Sequence, residues 1–228
     1  MGAWGAQPPG YRRHTGTMAI AARDEVTVSG ADALTYLQGQ VSQDLLALAV
    51  GEERWTFLLA PNGRVEVLAR IRRTADDTFL FDTEAGFGDQ LAARLARFKI
   101  RVKVDIGPVV ASATLPPFGD DAARVEAGWP AMGAEIVPGE TIPAETGITV
   151  VAVDFKKGCY PGQELVERMD SRGADAPRRL RILDVGDDAR PGDPIELDGK
   201  AVGVLTTVAG RRALGFVKRG VELGTALR

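Results

Sequence analysis

The densest chemistry in this 228-residue sequence lies in Lys156-Lys157-Gly158-Cys159-Tyr160-Pro161-Gly162-Gln163-Glu164. Cys159 is the only thiol of the chain and His14 the only imidazole. Lysine charge before the cysteine and the start of a predicted helix after it both favour thiolate over thiol, the form that attacks electrophiles or binds metal. Gly158 and Gly162 let backbone approach a ligand closely. The alternative is a buried packing cysteine, a common fate of a lone thiol. A Cys–His dyad is not expected, because His14 falls in an irregular N-terminal arm. An active Cys159 is then a self-activated thiolate, a transient acceptor, or a metal ligand shared with another molecule.

A second cluster is Arg124-Val125-Glu126-Ala127-Gly128-Trp129, with Glu135 and Glu145 beyond it. One carboxylate in a glycine-bounded turn can accept the adjacent ring N–H and amino donors of a pterin as a matched pair of hydrogen bonds, and Glu126 is so placed. The alternative is a solvated loop acid, with Glu135 and Glu145 serving as the same or as helix caps. The runs Arg70/Arg72/Arg73 and Arg178/Arg179/Arg181 are expected to be solvated strand faces, or a surface for a polyanion such as RNA or a polyglutamate tail. No phosphate-cradling glycine loop is present.

Composition narrows the field. One cysteine and one histidine cannot form a structural zinc site, a four-cysteine iron–sulfur site or an intramolecular disulfide within the chain. The single thiol fits a reducing compartment, and a cytoplasmic location is expected. With 28 basic and 31 acidic residues the net charge is -3, which gives no global argument for nucleic acid. No apolar run approaches the roughly 20 residues of a membrane span, and the N-terminal Tyr11-Arg12-Arg13-His14 stretch has no apolar signal core.

The elements that must position these residues read as an α+β fold. Residues 1–17 form a Gly/Pro-rich arm, 18–175 the main body and 176–228 a small antiparallel β-barrel. Strands are expected near 19–22 and 25–28, then a helix capped by Ser29 and running to Gln38. Trp55–Leu59, Pro61-Asn62-Gly63 and Val65–Ile71 form a hairpin, since Asn-Gly tolerates the positive φ of a tight turn. A strand at Phe79–Phe81 precedes a helix over 85–98 with Leu91, Leu95 and Phe98 on one stripe. Arg101–Asp105 and Val109–Ala113 read as strands. The Pro/Gly-rich segment 115–148 reads as loops around a short helix at 121–127, and a helix follows Gly162. The barrel strands are Leu180–Val185, Pro194–Leu197, Ala201–Val208, Ala213–Val217 and Thr225–Leu227.

Lys157-Gly158-Cys159-Tyr160-Pro161-Gly162-Gln163-Glu164 resembles the signature of the YgfZ-type folate-binding proteins, relatives of the glycine-cleavage aminomethyltransferase. Supporting matches run from about Met18 to the C-terminus: Leu37-Gln38-Gly39-Gln40-Val41-Ser42-Gln43-Asp44, Leu58-Leu59-Ala60-Pro61-Asn62-Gly63-Arg64-Val65, and Gly203-Val204-Leu205-Thr206 in the last domain. The resemblance implies an α+β body that binds tetrahydrofolate or a one-carbon derivative in a central hole. It also implies a part in iron–sulfur cluster assembly or repair, and through that an effect on tRNA thiomethylation. Expected partners are folate and iron–sulfur client or assembly proteins, with no membrane and no direct RNA contact. By position, Cys159 is the functional cysteine, and Lys157, Gly158, Tyr160, Gly162, Gln163 and Glu164 complete its motif. Arg124-x-Glu126-x-Gly128 is similar to the aminomethyltransferase segment whose glutamate holds the pterin. Glu66-Val67 stands where the transferases carry paired aspartates. The competing readings are a one-carbon transferase and a non-enzymatic module that binds protein or RNA.

Overall fold

A computed structural model describes residues 23–112, 118–171 and 176–222. The main sheet contains β1 (Arg23–Ser29), β2 (Glu53–Leu59), β3 (Val65–Ala75), β4 (Thr78–Glu84) and β5 (Asp105–Ser112). Its order is β2-β3-β4-β1-β5, with every pairing antiparallel. Helices α1 (Ala33–Gln38) and α2 (Gly88–Ala96) cover one face. There Val26, Val28, Ala69, Ile71, Phe79 and Phe81 meet Leu37, Leu91 and Leu95 in one core.

The opposite face carries Phe57, Leu59, Val65 and Leu68 against Trp129, Met132, Ile136, Tyr160 and Val166. That cover contains α3 (Asp121–Glu126), a 3-10 turn (Pro143–Glu145), α4 (Thr149–Ala152) and α5 (Gln163–Ser171). With apolar side chains required on both faces, β3 shows little of the period-two alternation expected of a half-exposed strand.

The hairpin forms where Pro61-Asn62-Gly63 places it. Gly63 adopts φ +81° and donates its N–H to the Ala60 carbonyl at 2.8 Å. Beneath it lies Arg94, wholly buried, whose Nε and Nη2 each donate to the Leu59 carbonyl at 3.0 Å. A buried guanidinium is tolerated only with such partners. Its Nε also lies 3.0 Å from Glu66 Oε2 as an ion pair, although that oxygen receives no hydrogen bond.

Four strands, β6 (Arg178–Asp184), β7 (Pro194–Leu197), β8 (Lys200–Ala209) and β9 (Arg212–Lys218), form a second antiparallel sheet, ordered β6-β9-β8-β7. Among the described residues it is an open sheet around Leu183, Ile195, Leu205, Ala213 and Val217, with no β6–β7 pairing to close a barrel. The strand expected at Thr225–Leu227 lies outside the described residues, as do the N-terminal arm with His14 and the strand near 19–22.

Other expectations need local correction. Ser29 caps no helix; it ends β1, paired with Thr78 and Asp105, and α1 starts four residues later. Arg101 takes φ +54°, so the chain turns there and pairs only from Asp105 onward. Phe98 lies past the end of α2, partly exposed, with the Arg94 guanidinium 5.1 Å from its ring. Arg70 is not solvated; it is buried in the sheet's second face.

A turn following Cys159 nests against the hairpin. Gly162 sits at φ +83°, and a Cβ there would stand 2.6 Å from the Ala60 carbonyl oxygen and 2.9 Å from Gly63 Cα. Gly162→Ala is therefore expected to lose roughly 3 kcal/mol of stability, combining a left-handed backbone with a backbone clash. Gly199→Ala, at φ +71° with nothing within 4 Å, should lose only about 1 kcal/mol. Urea unfolding of the two variants measures the contrast, and equal losses would contradict the nested packing.

Candidate functional site

The cysteine loop is anchored at each end and in its middle. The Asp154 N–H donates to the Ser42 carbonyl at 2.9 Å, and Asp154 Oδ1 accepts the Lys156 and Lys157 amides at 2.7 and 3.1 Å. This is the local side-chain turn that aspartate favours. Lys157 then reaches back to the end of α1, where Nζ donates to the Gln38 and Val41 carbonyls, both at 2.5 Å. The Gln38 carbonyl belongs to the negative end of α1 and that of Val41 to the turn just beyond it, so a cation is well placed there.

The same Nζ lies 4.9 Å from the centre of the buried Tyr160 ring. Burial lowers Lys157 from 10.5 to about 8, against the opposing pull of Asp44, Asp154 and the Cys159 thiol. Burial pushes the Tyr160 hydroxyl upward, with nearby Glu167 adding to the effect. Between these anchors Gly158 and Cys159 remain exposed, and Cys159 is a free thiol. The loop thus presents a thiol beside a lysine amine on an immobilised turn.

A second polar group lies on the covered face of the main sheet. Cross-strand register brings Trp55 opposite Arg70, and Arg70 opposite Asp82. Asp82 accepts from Arg23 Nε through one oxygen and from Arg70 Nε through the other, the latter at 2.9 Å. Arg70 also bonds Glu53 at 3.1 Å, and Glu84 stands 3.9 Å from Arg23 Nη1. Burial raises the Glu84 carboxyl, opposed by Arg23 and Arg124.

Trp55 lies at the centre of this group. The Arg23 and Arg70 guanidinium carbons are 5.8 and 6.0 Å from its ring, and the Trp129 ring is 4.8 Å away. Phe118 extends the aromatic group, 5.4 Å from Trp129. Among the described residues, three buried donors here find no acceptor: Arg23 Nη2, Arg70 Nη2 and Trp129 Nε1. An unmet buried donor costs about 1–3 kcal/mol, so three around one ring mark a place suited to an acceptor-rich ligand.

Sequence-predicted residues divide between places. Lys157, Gly158, Cys159, Tyr160 and Gly162 come together in the loop. Gly162 brings backbone against the hairpin rather than against open space, whereas Gly158 has nothing within 4 Å of a Cβ. Gln163 and Glu164 open α5 and pair one turn along it, with Glu167 at 2.6 Å and with Arg168.

Arg124 is a structural hub, bonding Asp121 and the Trp129 carbonyl at 2.9 Å, Glu135 at 2.8 Å and Thr207 at 2.9 Å. Glu135, expected as a loop acid, is fully buried and also accepts from Thr206 and Thr207 at 2.6 Å, which ties α3 to the second sheet. Glu145 is likewise buried, paired with Arg178 at 3.2 Å. Glu126 stands 56% exposed and bonds Arg212 at 2.8 Å. Sequence reasoning missed Arg23, Asp82, Glu84 and Trp55, placed Arg70 on a solvated face, and met Trp129 only as the end of the second cluster. The available signal was Arg70 within the apolar run Val67-Leu68-Ala69-Arg70-Ile71.

No family model matches the chain. The fold is that of the aminomethyltransferases: the crystal structure of glycine cleavage system aminomethyltransferase T from Bartonella henselae superposes with a TM-score of 0.72 at 17% identity, over 87% of this chain and 77% of that one. An iron-sulfur cluster assembly factor IBA57 homolog, mitochondrial, from Pyricularia oryzae is 26% identical over 226 residues, 74% of this chain and 56% of the relative. A 63-residue stretch is 43% identical to the tRNA-modifying protein YgfZ of Escherichia coli, 27% of this chain and 19% of that protein. The matches thus span little over half of the first relative and a fifth of the second. The chain is thus similar in sequence to IBA57 and YgfZ proteins and shares the fold of an aminomethyltransferase.

The depressed lysine gives a signed pH dependence. Folded Lys157 releases its proton near pH 8 and the unfolded side chain near 10.5, so in between the native state holds fewer protons and this group's contribution to stability rises with pH. The difference in urea midpoint between wild type and Lys157→Met, followed from about pH 7 to pH 10, is expected to grow above about pH 8. A flat difference would show that burial does not govern this amine.

Proposed function

We propose that the protein is a tetrahydrofolate-binding accessory factor for iron–sulfur cluster assembly or repair, in which Cys159 acts as a thiolate or transient ligand toward a client. An influence on tRNA modification would follow through cluster-dependent modifying enzymes. The observation that carries this reading is the exposed thiol of Cys159 on a loop whose neighbours Lys157, Tyr160 and Gly162 all anchor it. The names of the Pyricularia and Escherichia relatives supply the context.

The covered face of the main sheet fits a folate chemically. Trp55, Trp129 and Phe118 offer aromatic surface to a pterin or aminobenzoyl ring. The unmet donors of Arg23, Arg70 and Trp129 match its carbonyl, ring-nitrogen and carboxylate acceptors. Glu84, beside Arg23, can accept ring N–H groups as a carboxylate. Glu126, the candidate from the family resemblance, would have to release Arg212 first. When bound, the folate would supply one-carbon chemistry or act as an effector. A transferase role is less favoured, because the oxygens of Glu66 face Arg97 at 2.7 Å and Arg94 at 3.0 Å and so are tied to α2.

Thermal unfolding with tetrahydrofolate tests the reading. Ligand at about 100 times its dissociation constant should stabilise the wild type by about 2.7 kcal/mol. Glu84→Gln should lose most of that gain and Glu126→Ala little. No shift with wild type would remove the folate assignment, and loss in Glu126→Ala alone would move the ring to α3.

A further inference from the structure

We infer that β6 carries a docking surface for an extended, acidic and apolar segment of a partner protein. Two clefts meet along this strand. The first, of about 290 Å³, is walled by Ile142, Phe155, Leu165, Met169 and Leu180. The second, of about 200 Å³, is lined by Arg179, Arg181, Lys218 and Arg219, with Glu222 the one acid among the described residues. Arg179 and Arg181 line both, so the apolar and basic halves are continuous.

Charge selects the occupant. Four cations converge on the second cleft in a chain of net charge -3. In the first, Glu145 is neutralised by Arg178 and only Asp170 stands on the α5 rim. Apolar surface continues outward from that cleft: Phe155 is 38% exposed, and α4, whose Thr149 lines the cleft, exposes Val150 by 84% and Val151 by 43%. An apolar patch beside a basic rim is the complement of a peptide whose hydrophobic side chain enters one half while its carboxylates meet the other.

Single-stranded nucleic acid is the weaker fit. Its binding needs exposed aromatic faces beside the cations, and among the described residues no aromatic one lines the basic cleft. Phe216, the nearest ring on β9, is buried with the Arg178 guanidinium 4.1 Å above it. The wall formed by α5 begins where the cysteine motif ends, so a docked segment lies along the helix that leads back to Cys159. The surface does not depend on folate binding.

The test is fluorescence anisotropy of the full chain with four labelled probes of about a dozen units each. They are a peptide alternating acidic and apolar residues, an all-acidic peptide, a basic and apolar peptide, and a single-stranded RNA. The first should bind at least about tenfold tighter than the others, and weaken as salt rises from about 50 to about 300 mM. Arg181→Glu with Lys218→Glu, and separately Phe155→Asp, should each reduce its affinity by about tenfold. The thermal midpoint and the tetrahydrofolate shift should be retained, so that a misfolded variant or a failed folate assignment is recognised separately. Equal binding of the all-acidic peptide, tighter binding of the RNA, or no binding of the first peptide would overturn the proposal. Folded variants that bind it like wild type would do the same.

Discussion

Two backbone turns packed against each other hold the rest of the site in place. The hairpin turn between β2 and β3 and the turn after Cys159 nest so closely that neither central residue tolerates a side chain. A Cβ on Gly63 would stand 2.4 Å from Leu165 Cβ, and one on Gly162 2.6 Å from the Ala60 carbonyl oxygen. Glycine at both positions is thus a requirement of contact as well as of positive φ. Through this contact the buried Arg94, which holds the Leu59 carbonyl, supports a loop more than sixty residues later in the chain. Lys157 and Tyr160 fix the other side of that loop, one on the end of α1 and the other in the core shared with Trp129. The exposed thiol is the residue left over when its neighbours have been used for anchoring.

The covered face of the sheet follows a different logic. A core of plain apolar residues would be more stable than one containing Arg23, Arg70 and Asp82, since desolvating charges consumes most of what their pairing returns. Here the pairing among the described residues is also incomplete, with two guanidinium nitrogens and an indole N–H left without acceptors. Such a concession in a sheet otherwise closely packed is understandable where a ligand supplies the acceptors. The second hub, Arg124 with Glu135, is satisfied entirely by protein groups and serves assembly: it joins α3, the Trp129 carbonyl and β8.

Much of the fold was legible in the sequence where the signal is local. Pro61-Asn62-Gly63 marked the hairpin, residues 121–127 the short helix, Gly162 the start of α5, and glycine spacing the strands of the second sheet. The errors lie where partners distant in sequence decide. Ser29 has the chemistry of a cap, but pairing with Thr78 and Asp105 keeps it in a strand. Glu135 looks like a loop acid, and only the arrival of Thr206 and Thr207 makes it a buried acceptor. The array around Trp55 needs the register of four strands at once, which no local pattern encodes. For the site, the cysteine motif was visible as residues, but the reason for its lysine and second glycine was not. That reason is mechanical, a cap on α1 and a contact with the hairpin.

Cys159 is the proposed functional group of the scaffold, so the decisive measurement changes that thiol and little else. Cys159 is exposed, and Cys159→Ser should leave the thermal midpoint and the response to tetrahydrofolate unchanged. In cells carrying this variant as their only copy, the activity of a cluster-dependent enzyme is expected to fall to the level seen with no copy. Wild-type activity with the folded serine variant would contradict the account.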